Sequence, residues 1–170
     1  MEHKKTNIFL IGFMGSGKSS VSRVLHKKYH MEQLEMDEEI ERQEKMTISE
    51  IFEKKGEACF RDLETNLLEA LTDRENLVVS CGGGTAMREE NVQIMKKHGR
   101  IVLLKASPET VYERVKNSHA RPLLEGNMNV SYIRSLLEGR MPAYEAAADI
   151  LVETDGKKIE EICREILEQL

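Results

Sequence analysis

"NIFLIGFMGSGKSS", residues 7–20, sets an apolar run directly before glycines at 12, 15 and 17 and a Lys-Ser-Ser triplet. Glycine weakens strands and helices alike. Its density here marks a loop whose backbone must take up conformations that side chains oppose. Gly12-Phe13-Met14-Gly15-Ser16-Gly17-Lys18-Ser19 fits the spacing G-x-x-x-x-G-K-[ST] of a phosphate-binding loop. In such a loop successive N–H groups converge into a nest for an anion. A helix opening near Lys18 adds its positive end. Lys18 is then placed to reach the β and γ phosphates of a nucleoside triphosphate, and the Ser19 hydroxyl to ligate the Mg²⁺ that accompanies it.

Outside this loop, composition narrows the field. The chain has 170 residues, enough for one domain with a substantial core. Hydrophobic residues make up 40% and charged residues 32%, a globular balance, and the net charge of −5 argues against a dedicated nucleic-acid binder. Cys59, Cys81 and Cys163 are scattered with no CxxC pair or zinc spacing, which reads as reduced thiols. "IFLIGFM" is too short and glycine-broken for a signal or a membrane span. A cytoplasmic protein without membrane contact is expected.

Five short apolar runs are strand candidates: 7–12, 33–36, 77–80, 100–105 and 149–153. Those at 8–11, 77–79 and 101–104 are apolar throughout, as suits parallel strands covered on both faces. Helical patterns fill the gaps at 18–29, 38–45, 57–71, 88–98 and 157–170. Thr47-Ile48-Ser49-Glu50 reads as a capping box for a helix stopped by Gly56, and Ser107-Pro108 caps another. Strands alternating with helices predict an α/β fold: a three-layer sandwich with a five-stranded parallel sheet between helices. Ligands of such sheets bind beyond the carboxyl ends of the strands, so the residues that follow each strand carry the functional reading.

After the second strand comes "LEMDEE", with Glu35 and Asp37 two residues apart. The later apolar strands end without an acid, so these carboxylates stand nearest the expected γ phosphate. Asp37 can cap the helix 38–45, orient an alcohol and take up its proton, or do both. Glu38, Glu39 and Glu41 read as a solvated acidic face. After the third strand, Gly82-Gly83-Gly84 lets a backbone pass close to a ligand. Arg61 and Arg140 are either surface charges or an anion clamp, and spacing cannot bring them together. The stretch 116–129, "KNSHARPLLEGNMN", has the length of a functional lid, and its Arg121 is either a solvated loop charge or a stabiliser of the transferring phosphate.

Taken together, "LIGFMGSGKSS", "EMDEEIE", "ISEIFEKKGEACFRDLE", "VVSCGGG", "ARPLL" and "RMPAYEAAAD" resemble the shikimate kinase family in kind and order, over about residues 7–157. The resemblance implies a phosphate-loop kinase of the nucleoside-monophosphate kinase fold. It implies transfer of the ATP γ-phosphoryl group to the 3-hydroxyl of shikimate, in aromatic amino-acid biosynthesis. The whole chain 1–170 would be one kinase domain acting as a monomer, with a substrate-binding helical segment at about 37–72 and a lid at about 116–129. Gly15, Ser16, Gly17, Lys18, Ser19 and Ser20 would hold ATP, with Arg114 and Lys157 beside the adenine and Arg121 on the phosphates. Asp37 would be the base, assisted by Lys18 and Arg121. Arg61 and Arg140 would grip the shikimate carboxylate over Gly82, Gly83 and Gly84. Ser19 would bind Mg²⁺ directly and Glu35 through water.

Departures from the family pattern are Glu35 for the usual Asp, Ser20 for Thr, Ala146 for Glu and Lys157 for Arg. A gluconate kinase would share the phosphate loop, but the paired arginines and glycine floor favour a compact ring acid. A non-catalytic nucleotide-binding module would lack the base or the lid charge, and Asp37 and Arg121 are both present.

Overall fold

In the computed structural model, which describes residues 6–116 and 129–170, five parallel strands form the centre. They are β1 (Asn7–Ile11), β2 (Glu32–Glu35), β3 (Leu77–Ser80), β4 (Gly99–Lys105) and β5 (Ile150–Glu153), in the order β2-β3-β1-β4-β5. The helices are α1 (Lys18–Tyr29), α2 (Met36–Glu44), α3 (Ile48–Lys55), α4 (Glu57–Ala70), α5 (Glu89–His98), α6 (Pro108–Val115), α7 (Val130–Ala147) and α8 (Ile159–Gln169), and a short 3-10 turn follows β3 at Thr85–Met87.

The pleat of β1 explains the layers. Side chains alternate across a strand, so Ile8 and Leu10 face α1 and α8 in a core with Val21, Leu25 and Ile166. Phe9 and Ile11 face the opposite core, with Met36, Leu68, Met95 and Tyr144. Both faces of the central strands are dry, which is why their sequences are apolar without alternation. The outer strand β5 is covered on one face only, and there the pattern does alternate, with Ile150 and Val152 buried and Leu151 and Glu153 exposed.

Local signals set the helix ends. The Thr47 hydroxyl accepts from the Glu50 N–H at 3.1 Å, and that of Ser107 from the Thr110 N–H at 3.2 Å, as the capping patterns require. Three expectations fail. Asp37 is not an N-cap: α2 begins one residue earlier at Met36, whose side chain is fully buried, so the cap position falls to Glu35 and Asp37 lies in the first turn. Nor is Glu41 merely solvated, because its carboxylate accepts from the Ile48 N–H at 3.0 Å and caps α3 from the preceding helix. The last helix also starts later than expected, at Ile159, because residues 154–157 form a turn.

Candidate active site

The phosphate loop, Asp37 and the glycine run 82–84 directly follow the carboxyl ends of β1, β2 and β3. Gly12, Gly15 and Gly17 have φ of 147°, 76° and 104°, values that side chains resist. A β-carbon on Gly12 would also lie 2.5 Å from the Leu104 carbonyl oxygen on β4, so this loop can pack there only as glycine. The Lys18 ammonium donates back across the loop to the carbonyls of Gly12 at 2.5 Å and Phe13 at 3.3 Å. The Ser16 hydroxyl is buried and has no hydrogen-bond partner. A buried polar atom without a partner is costly, and one inside a nest of N–H groups suits a phosphate oxygen.

Arg114 of α6 crosses this loop and donates to the Gly15 carbonyl at 2.9 Å. Asp155, in the turn after β5, accepts from the Ser107 N–H at 3.1 Å. Burial works against its charge, but hydrogen bonds from Ser107 and Thr110, with the nearby Arg114 charge, hold its carboxyl below the usual range. Arg114 and the 154–157 turn therefore stand side by side. Lys157, in that turn, binds both oxygens of Glu165 at 3.0 and 2.9 Å. Ser20 is exposed on the first turn of α1.

Glu35, at the end of β2, meets the phosphate loop directly: Ser19 donates to its Oε2 at 2.9 Å. Its Oε1 lies 2.8 Å from the Ser22 hydroxyl. Ser19 and Glu35 are hard oxygen donors held together, the kind Mg²⁺ accepts while keeping most of its water and binding substrate phosphates. Among the described residues no group of three or more His, Cys, Asp or Glu stands ready to hold a metal by protein donors alone. The donor set fits a cation brought in with a nucleotide.

The glycine run after β3 is where the remaining candidates converge. A β-carbon on Gly82 would lie 3.1 Å from Asp37 Oδ1 and 2.9 Å from Glu64 Oε2. One on Gly83 would lie 3.0 Å from Arg140 Nη1, and one on Gly84 2.5 Å from Arg61 Nη1. The bare backbone thus admits two carboxylates and two guanidinium groups, and brings together Asp37, Arg61 and Arg140, which sequence spacing left apart. The Arg140 guanidinium also sits 5.8 Å over the ring of Phe13, a cation–π contact linking this pocket to the phosphate loop. Arg121 and most of the 116–129 stretch lie outside the described residues.

Two site residues escaped the sequence reading. Glu64 is fully buried, accepts from Arg61 at 2.7 Å and takes a 2.5 Å bond from the Thr85 hydroxyl. Burial opposes the charge of Arg61, but its pairing with Glu64, supported by Glu57, raises its pKa above the ordinary value. Tyr144 donates its hydroxyl to the Gly83 carbonyl at 2.5 Å. Burial pushes its phenol up, against the pull of Arg140 and Arg61, so it stays a neutral donor. A signal for Glu64 exists: it falls on the apolar stripe Phe60, Leu67, Leu68 of α4, three residues after Arg61. Glu64→Ala leaves Thr85 and a half-buried guanidinium short of a partner. It should lower stability by about 2–3 kcal/mol, read as a shift of about 5–10 °C in thermal midpoint. A shift below about 2 °C would mean that Arg61 holds its place without it.

Comparison with known proteins gives the same family by three routes. The sequence model of the family described as shikimate kinase matches residues 14–170. A shikimate kinase from Persephonella marina is 45% identical over 161 residues, covering 95% of this chain and 96% of the relative. One from Thermodesulfovibrio yellowstonii is 42% identical over 163 residues, covering 96% and 94%. The solved structure of an Acinetobacter baumannii shikimate kinase in complex with shikimate superposes with a TM-score of 0.89 at 37% identity, covering 96% of this chain and 91% of that one. A gluconokinase from Sinorhizobium meliloti, at 21% identity and TM-score 0.59, shares the fold alone.

Proposed function

The chain belongs to the shikimate kinase family, and from that premise we propose that it transfers the γ-phosphoryl group of ATP to the 3-hydroxyl of shikimate, giving shikimate 3-phosphate and ADP. The observation that supports this most is the meeting of Asp37, Arg61 and Arg140 on Gly82–Gly84, next to the phosphate loop.

The roles follow from chemistry. Arg61 and Arg140 take the substrate carboxylate in charge-assisted hydrogen bonds, with Gly82, Gly83 and Gly84 as floor. Glu64 and Tyr144 hold this clamp in place from behind. The substrate hydroxyl then lies against Asp37, which orients it and takes its proton as the oxygen attacks the γ phosphorus and ADP leaves. The amides of Gly15, Ser16, Gly17, Lys18, Ser19 and Ser20 hold the triphosphate, and Lys18 offsets charge that builds on the transferring group. Arg121 adds to that offset as part of a lid at about 116–129. Arg114 and Lys157 flank the adenine. Ser19, with Glu35 through water, would hold Mg²⁺, which supplies neutralisation of the triphosphate charge. We read the unit as a monomer of one domain, its helical segment 37–72 serving the substrate. Among the described residues no helix is long and apolar enough to cross a membrane. A cytoplasmic location, where ATP is supplied, completes the proposal.

A coupled ADP-release assay with shikimate, quinate and gluconate side by side tests it. ADP release with shikimate alone is expected; preference for gluconate would overturn the assignment. Arg140→Ala should raise the KM for shikimate by about tenfold, the worth of a charged hydrogen bond, with the KM for ATP nearly unmoved. An equal rise in both would remove Arg140 from the carboxylate.

A further inference from the structure

Resting on the metal role proposed for Ser19 and Glu35, we infer that Ser22 and Gln33 are positioning residues that clamp Glu35 through Oε1 and aim its Oε2 at the metal side of the nucleotide site.

Ser22 is fully buried on the face of α1 that otherwise carries Val21 and Leu25 into the core. A hydroxyl there costs stability unless it is hydrogen-bonded. Its partners are the Ser19 carbonyl at 2.9 Å, Glu35 Oε1 at 2.8 Å and the amide of Gln33 at 2.9 Å. The hydroxyl has one proton for two acceptors, and the charged carboxylate is the stronger. Gln33 Nε2 has two protons, one for the Ser22 oxygen and one for Glu35 Oε1 at 3.2 Å. Oε1 is thereby held from two sides, while Oε2 receives the Ser19 hydroxyl at 2.9 Å.

Elementary chemistry gives the clamp its purpose. A glutamate has one more rotatable bond than an aspartate and loses more freedom when fixed. Left to itself, the longer side chain would spread over several rotamers beside Ser19. Bonds from Ser22 and Gln33 restrict it to one. Groups behind a metal's ligands commonly set affinity by orienting them. In this chain that work falls to residues on two elements, α1 and β2, which pack against each other.

The test uses the full chain with ADP and Mn²⁺ as the probe, free Mn²⁺ being followed by electron paramagnetic resonance. Glu35→Gln should weaken Mn²⁺ binding by about tenfold, and Ser22→Ala and Gln33→Met each by about three- to tenfold. Binding of ADP without metal should not change. In the Glu35→Gln background, Ser22→Ala and Gln33→Met should each add less than about twofold, since the carboxylate they orient is gone. A general packing defect at Ser22 would instead persist in that background. Two results overturn the clamp: Mn²⁺ affinity within about twofold of the parent in both single variants, or losses that add fully to that of Glu35→Gln. If Glu35→Gln itself leaves Mn²⁺ binding unchanged, both the clamp and the metal role of Glu35 fall. The roles of Asp37 and Arg140 would stand, because their assays read substrate turnover and KM.

Discussion

Asp37→Asn is expected to cut turnover with shikimate by about 10²- to 10³-fold, with ATP affinity within about twofold of the parent. The substitution keeps the shape of the side chain and removes its capacity to accept a proton. Asp37 sits in the first turn of α2, set by the buried Met36 before it and by β2, which ends at Glu35. Its oxygen lies over Gly82. An amide there can still hydrogen-bond the substrate hydroxyl, so the substrate KM should change much less than kcat. The residue is exposed, and loss of one negative charge from a helix's first turn costs only about 0.3–1 kcal/mol. Unfolding therefore will not imitate the loss. Steady-state kinetics, with nucleotide binding measured separately, give the answer. Turnover within about threefold of the parent would assign the proton to another acceptor.

Gly84→Ala should lower kcat/KM for shikimate by about 10²-fold without unfolding the protein, because misplacement of a clamping group by about 1 Å carries that cost. The new methyl would lie 2.5 Å from Arg61 Nη1 and 2.6 Å from its Cζ. Gly84 has φ −102° and ψ 0°, which alanine adopts freely, so the guanidinium must give way rather than the backbone. Its retreat strains the bond to the buried Glu64 and moves one half of the carboxylate clamp. The KM for ATP should stay within about twofold, since the phosphate loop is not touched. Gly139→Ala on α7 is the control. Nothing lies within 4 Å of its added β-carbon, and alanine in a helix stabilises by up to about 1 kcal/mol relative to glycine. If Gly84→Ala keeps full activity with shikimate, the close approach of Arg61 to the glycine run has no part in substrate binding.

What could be read before folding depended on range. Continuous apolar runs marked β1, β3 and β4 because parallel strands covered on both faces need no polar positions. Thr47 and Ser107 announced their helices because a cap bonds only three residues ahead. The phosphate loop was legible because its glycines, lysine and serine all serve one local turn. Of the roles open to Asp37, capping fails because the start of α2 is set by burial of Met36 against distant residues. Glu41 was misread because its partner, Ile48, belongs to the next helix.

Residues 12–19, written in one continuous stretch, carry the spacing of a phosphate-binding loop, and apolar runs alternating with helical patterns predict the α/β fold. Tertiary structure alone seated Asp37, Arg61 and Arg140 around Gly82–Gly84, joined Thr85 to Glu64, and tied Ser22 to Glu35. The physical reason is that a hydrogen bond or ion pair reaches about 3 Å, whereas its partners lie many residues apart along the chain. Only the parallel sheet, which gathers the ends of all its strands at one edge, makes those distances short.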